Sequence, residues 1–380
     1  MTASARVSLP GRAEPVEIAA PRWADGYPPP TARRVYAAAH VAALDGDSVD
    51  WESTMRFRDH LWTYGFGVAE AMDTAQRGMG LSWEQARELI ARSARRAAAH
   101  RAAGRPAVVA CGAGTDQLAD GGSHTITEII DAYAQQLAFV QSSGAGVILM
   151  ASRALAAAAR GPRDYLEVYG TLLAQASQPV ILHWLGEAFD PSLRGYWGSD
   201  DFESAAATVL DLIEQAGDRV DGIKLSVLDA DREIALRRRL PPGVRLYTGD
   251  DFGYADLIRG DRKGHSDALL GAFAAITAPA AAALLALDVG DAAGYDAAIG
   301  PTVPLSRLIF EQPTFYYKTG VAFLAWLNGL QPRFVMLGGL ERNRPAGHLI
   351  RVFELAAAAG TFRDPALAAD RMTRFLQAAA

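Results

Sequence analysis

The sequence predicts a parallel (β/α)₈ barrel, because short β-rich runs alternate with helical patterns and about eight such units in roughly 250 residues close a barrel. A doubly wound open sheet is the alternative that this alternation leaves open. The eight predicted strands are Val35 to Ala42, Tyr64 to Val68, Ala107 to Cys111, Gly146 to Met150, Val180 to Trp184, Gly222 to Ser226, Val244 to Thr248 and Ala272 to Thr277.

The segments between and around these runs complete the architecture. Helical spacing is clear from Trp83 to Arg92, with Ser82 as a suitable N-cap, and from Ser204 to Ala216. A short β-hairpin is expected around Pro10-Gly11. We therefore expect an N-terminal extension at residues 1–30, the barrel at 31–300 and an appended helical region at 301–380. The predicted C-terminal helices are Leu305 to Leu330, His348 to Ala359 and Pro365 to Ala378.

Composition excludes several classes of protein. The chain has 37 basic and 43 acidic residues and a net charge of −6, without a basic run set among aromatics, so nucleic acid is not an expected partner. The single cysteine, Cys111, excludes an internal disulfide framework and a multi-thiolate metal site. The N-terminus lacks a signal-peptide pattern, and the apolar stretch from Thr277 to Leu287 is too short to span a bilayer. We expect a cytoplasmic protein without a membrane partner.

Lys224 is the leading candidate for chemistry because it lies inside a predicted strand. Alternation puts Gly222, Lys224 and Ser226 on one face, so that the lysine points into the barrel between two small residues. Only about one ordinary lysine in 2,500 is uncharged at pH 7, and desolvation that lowers its pKa would make the amine a nucleophile. The alternative is a strand-end lysine that pairs with a carboxylate or extends to solvent.

The segment Gly222-Ile-Lys-Leu-Ser226 resembles the Gly-Ile-Lys-Asp-Ser signature of the dihydrodipicolinate synthase and N-acetylneuraminate lyase family. The resemblance covers about residues 33 to 360. It implies a lyase or aldolase in which Lys224 forms a Schiff base with a small carbonyl substrate, without a cofactor, in a homodimer or homotetramer. Similar segments follow in the same order at Asp47 to Asp50, Gly67 to Glu70, Gly104 to Gly114, Tyr247 to Asp251 and Glu311 to Thr314 with Lys318.

This sequence departs from the family at the residue for proton transfer. His183 stands in Pro-Val-Ile-Leu-His-Trp where the family has a tyrosine. A histidine with an ordinary pKa near 6.5 can exchange protons at neutral pH, so the role could survive with a different group. A packed core histidine is an equally good interpretation.

The residues that hold a substrate carboxylate in the family also differ. Its threonine pair corresponds to Gly67 and Val68, which carry no hydroxyl, and its arginine falls at Ala188. Arg153 or Arg194 could replace that charge. The substrate therefore stays open among a keto sugar, an aldehyde and a 2-oxo acid.

The predicted site combines catalytic Lys224 and His183 with a set of substrate-binding candidates. Those candidates are Gly67, Val68, Glu70, Arg153, Trp184, Ser226, Asp250 and Asp251. Further polar residues expected in loops at the reactive end, each more simply read as a solvated or capping residue, are His124, Glu187, Asp190 and His265. The Gly112-Ala-Gly114 segment could cradle an anion, although such pairs are usually turns.

Two other functions compete with the Schiff-base lyase. A divalent metal held by some of His183, Glu70, Asp250 and Asp251 could act as Lewis acid, although no familiar metal-binding spacing supports it. We expect no metal. A barrel that has lost its chemistry and only binds a small molecule is the third possibility, against which an unused buried lysine would carry a desolvation cost.

Overall fold

The computed structural model describes residues 4–119 and 121–379, and it contains the predicted closed barrel of eight parallel strands. Ala268–Leu270 of the last strand pair with Val35–Ala37 of the first, which closes the sheet. A two-stranded antiparallel sheet, β1 (Ala5–Val7) and β2 (Val16–Ile18), precedes the barrel and confirms the predicted hairpin. The barrel strands are β3 (Val35–Ala38), β4 (Gly67–Glu70), β5 (Val109–Ala113), β6 (Gly146–Leu149), β7 (Val180–Leu185), β8 (Val220–Ser226), β9 (Arg245–Thr248) and β10 (Asp267–Leu270).

The prediction of the eighth strand was wrong. Residues 272–277 were expected to form it, whereas Ala272–Ala275 is a helical turn and the strand is Asp267–Leu270. Alanine favours helix over strand, and the true strand begins with an aspartate that sequence patterns do not assign to a buried strand. The Asp267 carboxylate accepts a hydrogen bond from the backbone N–H of Arg34 at 2.7 Å, which accommodates its charge at the start of the strand.

Helices surround the barrel and continue beyond it. The predicted N-cap at Ser82 is confirmed, since its side chain and that of Gln85 form a reciprocal capping box. No helix of the described residues is long and apolar enough to cross a membrane. The helices are α1 (Trp51–Thr63), α2 (Trp83–Ala102), α3 (Ile126–Ser142), α4 (Arg153–Ala158), α5 (Pro162–Gln175), α6 (Phe202–Ala216), α7 (Ala230–Arg237), α8 (Tyr254–Arg259), α9 (Ala272–Ala275), α10 (Thr277–Asp288), α11 (Ala292–Ile299), α12 (Val303–Ile309), α13 (Tyr317–Leu327), α14 (Ala346–Ala359) and α15 (Pro365–Ala379).

The C-terminal helices matter for the site because one of them returns to the barrel. The predicted helix over residues 305–330 is divided, since α12 ends at Ile309 and α13 begins at Tyr317. The Tyr317 hydroxyl lies 2.7 Å from Thr74 Oγ1, in the short 3₁₀ helix Asp73–Ala75 after β4. The start of α13 therefore covers the C-terminal end of the barrel.

The barrel interior changes in polarity along its axis. Tyr36 and Tyr247 fill the lower interior with ring centroids 6.0 Å apart, and the Tyr247 hydroxyl donates to the Asp221 carboxylate near the N-terminal end of the barrel. His183, Lys224 and Ser226 lie buried nearer the C-terminal ends of their strands. An apolar floor thus lies below a polar upper layer, at the end where barrel enzymes place their chemistry.

A buried carboxyl group lies outside the barrel, on α7. Glu233 accepts hydrogen bonds from Thr248 Oγ1 at 2.9 Å and Ser266 Oγ at 2.7 Å. Burial raises the pKa of Glu233 to about 8, against the opposing effect of these two hydroxyls. The native protein therefore holds Glu233 protonated at neutral pH.

We expect Glu233→Gln to stabilise the protein above pH 5. The unfolded chain releases this proton near its ordinary pKa of about 4.5 and the native state only near 8, so the wild type loses stability as pH rises between these values. The gain should reach about 2 to 4 kcal/mol at pH 8 and vanish near pH 4. Urea unfolding at several pH values measures it, and a gain that does not depend on pH would contradict the assignment.

Candidate active site

Lys224 lies inside the barrel on β8, between His183 of β7 and Tyr247 of β9 in strand register. The side chains of Ile223 and Leu225 pack outward against the helices, as the predicted alternation requires. Only 8% of the Lys224 surface is exposed. The structure thus brings an ionisable amine to the interior face of the sixth barrel strand.

Gly249, in the loop after β9, makes room for this lysine. A Cβ atom there would lie 2.9 Å from Lys224 Cε and 2.8 Å from the Leu225 carbonyl oxygen, and closer still to Ser226 Oγ. Real Cβ atoms essentially never approach other atoms so closely. The lysine side chain therefore follows a channel that only a glycine at this position leaves open.

Burial shifts Lys224 toward its neutral form. Desolvation lowers the pKa of Lys224, while the negative charges of Asp73 and Asp251 act in the opposite direction without cancelling it. Within the described part of the chain, Lys224 Nζ forms no hydrogen bond and no ion pair within 4.0 Å. The pairing expected of a structural lysine is absent from these residues.

His183 is buried completely beside Lys224. Its Nε2 atom lies 3.4 Å from Ser226 Oγ, and its Nδ1 atom lies 4.0 Å from Asp73 Oδ2 without a hydrogen-bond partner among the described residues. Desolvation, and then the charge of Lys224, lower the pKa of His183 well below 6.5. The imidazole is therefore neutral at pH 7, and any proton transfer through it would be a relay by the neutral ring.

Asp73 is a residue that the sequence analysis missed. It begins the 3₁₀ helix after β4, and its carboxylate is 22% exposed and lines a cavity at the C-terminal end of the barrel. The same carboxylate faces His183 and raises the pKa values of Lys224 and Lys318. Asp73 therefore lies between this cavity, whose lining does not include Lys224, and His183, the neighbour of the buried lysine. Its position just after a predicted strand was the available signal.

Asp250 and Asp251 have different roles although they are neighbours. Asp250 Oδ1 accepts the backbone N–H groups of Phe252 and Gly253 at 2.8 and 3.0 Å, and thereby holds a turn. Asp251 Oδ1 accepts the N–H of Ala272 at 2.9 Å, and burial raises its pKa to about 7 while Lys224 lowers it. Asp251 interacts with the candidate nucleophile.

Helix α13 supplies an aromatic ring and a second buried lysine. Tyr317 stacks on Phe310 with centroids 4.4 Å apart, and burial, with the charge of Asp73, raises the pKa of its hydroxyl. The Lys318 Nζ atom lies 4.5 Å from the centre of the Tyr317 ring and donates to the Phe315 carbonyl at 3.1 Å. Burial lowers the pKa of Lys318 to about 8.

The cavity that Asp73 lines has a volume of about 720 Å³, within the range of small-molecule sites. Two ion pairs stand in its wall. Arg153 Nε donates a hydrogen bond to Asp190 Oδ2 at 2.6 Å, and the Arg77 guanidinium forms an ion pair with the Asp116 carboxylate. The predicted Arg153 and Asp190 therefore lie at the site, each beside an opposite charge.

Several predicted substrate-binding residues lie away from this cavity. Gly67 lies at the N-terminal end of β4, where a Cβ would lie 2.7 Å from the Tyr36 ring, at the opposite end of the barrel. Val68 packs outward in the core, and Trp184 stacks on Phe202 of α6 with centroids 5.1 Å apart. Adjacent residues of a strand point to opposite sides, so Trp184 faces outward where His183 faces inward.

Glu70 is also removed from the substrate-binding set. Its carboxylate is fully buried on the outer side of β4 and accepts hydrogen bonds from Arg58 at 2.7 and 2.8 Å and from Ser93 at 2.5 Å. The Ala71 N–H donates to it at 2.9 Å. Glu70 fastens the barrel wall to α1 and α2.

The structure also places the remaining polar loop candidates. His265 precedes β10 and lines a separate cavity at the N-terminal end of the barrel, so its expected position at the reactive end was wrong. His124 lines the cavity at the reactive end, and Glu187 lines a smaller neighbouring one. The backbone N–H of Gly114, which was a possible hydrogen-bond donor to an anion, donates instead to Gln136 Oε1 at 2.7 Å.

The side chains of the metal hypothesis are not brought together, because Glu70 lies outside the barrel wall and Asp250 holds a turn. Over residues 4–119 and 121–379, no group of three or more His, Cys, Asp or Glu is arranged to hold a metal ion. The polar groups that do converge are Lys224, His183, Ser226, Asp73 and Asp251.

Comparison with protein families gives one match, in which residues 9–380 fit the family described as "Protein of unknown function (DUF993)". The chain belongs to this family. A comparison with curated proteins gives no significant match.

Solved structures of the dihydrodipicolinate synthase family share the fold of this chain. The enzyme from Cyanidioschyzon merolae with lysine bound is 18% identical, with a TM-score of 0.66 over 87% of this chain and 99% of its own. The Acinetobacter baumannii enzyme complexed with pyruvate is 15% identical, with a TM-score of 0.65 over 87% and 100%. YagE of E. coli K12 in complex with pyruvate is 14% identical, with a TM-score of 0.66 over 87% and 99%. The resemblance stated from the sequence is confirmed in the fold.

We expect Glu70→Gln to destabilise the protein by about 3 to 5 kcal/mol, because it leaves the Arg58 guanidinium buried without a countercharge. The matched control is Glu203→Gln, which removes an exposed ion pair with Arg239 and should cost less than about 1 kcal/mol. Chemical denaturation measures both values. Equal effects of the two substitutions would contradict the structural role of Glu70.

Proposed function

We propose that this protein is a Schiff-base-forming lyase or aldolase that acts on a small carbonyl compound through Lys224. The observation that carries the proposal is a lysine buried inside the barrel near the C-terminal end of its strand, with a lowered pKa and no ion pair within 4.0 Å in the described part of the chain. Desolvation of this kind is how lysine nucleophiles are activated. The neutral His183 and the cavity-lining Asp73 lie beside it.

The chemistry follows from an imine at this position. The neutral Nζ atom attacks the carbonyl carbon, and a proton passes from nitrogen to oxygen to give a carbinolamine. Its hydroxyl group takes up a further proton from the surrounding acid–base groups and leaves as water, which forms the protonated imine. The iminium draws electrons from the neighbouring carbon, so that a C–C or C–H bond there can break with its electron pair retained. Hydrolysis of the imine then releases the product and restores the amine.

Proton transfers in this scheme fall to the groups around Lys224. Asp73 reaches the cavity, and His183 lies between Asp73 and Ser226 with its two ring nitrogens directed toward them. The neutral ring can carry a proton between Asp73 and the lysine side without becoming charged in the resting state. Asp73 thus takes the acid–base role that the sequence analysis assigned to His183, with His183 as a relay.

The comparisons support a carbonyl substrate without naming it. Two of the similar structures are described as complexes with pyruvate, a 2-oxo acid. The cytoplasmic location and the homodimer or homotetramer stay predictions.

The first test is reductive trapping. Incubation with cyanoborohydride and a mixture of small 2-oxo acids, aldehydes and ketoses should add a stable mass to the protein, and peptide mapping should place it on Lys224. Lys224→Met should abolish the adduct while leaving the unfolding transition in place. A wild-type protein that gains no mass on Lys224 would sink the imine mechanism. Equal substrate binding by Lys224→Met without turnover in either protein would favour a binding barrel.

The pH dependence of trapping gives a second test. Because desolvation lowers the pKa of Lys224, the trapping rate should level off below pH 10.5, where an exposed lysine continues to gain reactivity. Asp251 raises that pKa, so Asp251→Asn should move the midpoint further toward acid pH. Stopped incubations analysed by mass spectrometry between pH 6 and 10.5 give the midpoint, and a shift toward alkaline pH in the variant would contradict the assignment.

A further inference from the structure

We propose that the site takes a neutral polyhydroxy carbonyl compound with a hydroxyl group next to the carbonyl, and that it discriminates against 2-oxo acids. This inference rests on the imine at Lys224 proposed above. It identifies the class of substrate that the surroundings of the lysine accept, and it assigns Asp73 the discrimination.

The charges next to Lys224 oppose a substrate carboxylate. In a 2-oxo acid the carboxylate is one bond of about 1.5 Å from the carbon that the lysine attacks. That group must enter the space beside the amine, where the Asp73 carboxylate acts together with Asp251, whose raised pKa of about 7 leaves it only partly ionised at neutral pH. A substrate carboxylate and a neighbouring aspartate carboxylate repel each other, whereas a substrate hydroxyl in the same place donates a hydrogen bond to the aspartate.

The cations of the site are already engaged. Arg153 binds Asp190, and Arg77 binds Asp116 and also donates to the carbonyl of Gly112. The Lys318 ammonium donates to the Phe315 carbonyl and lies in the field of Asp73 and Asp190. The described residues that line the cavity carry no excess of positive charge. Two arginines, Arg77 and Arg153, are outnumbered by three aspartates, which are Asp73, Asp116 and Asp190.

Backbone donors at the strand ends are also occupied by protein side chains. The N–H of Ala71, after β4, donates to Glu70 Oε1 at 2.9 Å, and the N–H of Gly114, after β5, donates to Gln136 Oε1 at 2.7 Å. The second of these groups belongs to the Gly112-Ala-Gly114 segment, which the sequence suggested as a possible anion cradle. Neither of these two groups is available to hold a carboxylate.

The remaining cavity wall suits hydroxyl groups, which both donate and accept hydrogen bonds. The hydroxyl-bearing residues Thr115, Ser152 and Ser192 line it alongside Asp73 and Asp190. The Thr115 and Ser152 hydroxyls hydrogen-bond each other at 2.6 Å, and each keeps further hydrogen-bonding capacity for a ligand. At about 720 Å³ the cavity is large enough for several hydroxylated carbons beyond the carbonyl. A polyol chain could exchange hydrogen bonds with these groups without bringing a net charge.

The test compares two probes of the same carbon number, 1,3-dihydroxyacetone and pyruvate, in cyanoborohydride trapping with the full chain. The adduct on Lys224 is quantified by peptide mapping. It is normalised to the adduct that each probe forms with the side-chain amine of Nα-acetyl-lysine under the same conditions. Wild type should prefer dihydroxyacetone by at least about tenfold, which corresponds to about 1.4 kcal/mol. Erythrulose and fructose extend the series to longer chains.

Asp73→Asn tests the assigned residue. It removes the repelling charge and should lower the preference ratio by about tenfold, whereas Asp73→Glu keeps the charge and should retain the wild-type ranking. A general loss of reactivity affects both probes alike and cancels in the ratio. Thermal unfolding of each variant confirms that it is folded.

The outcomes separate the two proposals. A normalised Lys224 adduct with pyruvate equal to or greater than that with dihydroxyacetone overturns the substrate class and leaves the imine mechanism standing. An unchanged ratio in Asp73→Asn overturns the role of Asp73. Absence of any Lys224 adduct with the ketoses and 2-oxo acids alike overturns the mechanism, and the substrate class with it.

Discussion

The burial of the Lys224 amine is the constraint on which the site depends. An ammonium group inside a closed barrel loses its hydration, and the protein must either supply countercharge at close range or let the group become neutral. This structure combines the two solutions. The charges of Asp73 and Asp251 raise the pKa of Lys224, but desolvation lowers it by more. The result is a lysine whose pKa is lower than that of an exposed amine, which is the direction that the proposed nucleophilic role requires.

Two carboxylates on one short segment show how the barrel wall divides structure from chemistry. Glu70 and Asp73 are three residues apart, at the end of β4 and just beyond it. The first points outward, where Arg58 and Ser93 consume its hydrogen-bonding capacity, and the second opens to the cavity. Their chemical similarity says nothing about their roles. The direction in which each leaves the strand decides whether water and substrate can reach it.

The sequence allowed the barrel and its central lysine to be predicted, because both rest on local patterns. Alternation within β8 correctly directs Lys224 inward, and applied to β7 it would have directed Trp184 outward. Asp73 escaped prediction although it follows a predicted strand, whereas Tyr317 escaped because its place depends on a contact between distant parts of the chain. Tyr317 reaches Thr74 across more than 240 residues, and no local pattern in either segment indicates that contact.

Placement along the barrel axis was the other weakness of the prediction. Gly67 was assigned to the reactive end of the barrel. Strand β4 begins at Gly67 and ends at Glu70, so this glycine lies at the N-terminal end, in the apolar floor of the barrel. An error of a few residues in a strand boundary therefore moves a candidate from one end of the barrel to the other. Asp251, which was predicted to bind substrate, acts on the charge of Lys224 in the structure, since the loop after β9 follows the C-terminal end of a neighbouring strand.

The covering of the barrel mouth by α13 has a consequence for the synthesis of this protein. All eight strands are complete by Leu270, whereas Tyr317 and Lys318 come almost fifty residues later in the chain. A growing polypeptide could close its barrel on the ribosome while its C-terminal end still lacked the Tyr317 side chain, which hydrogen-bonds Thr74 in the complete chain. The candidate site would then be completed in a separate step, later than the formation of the barrel.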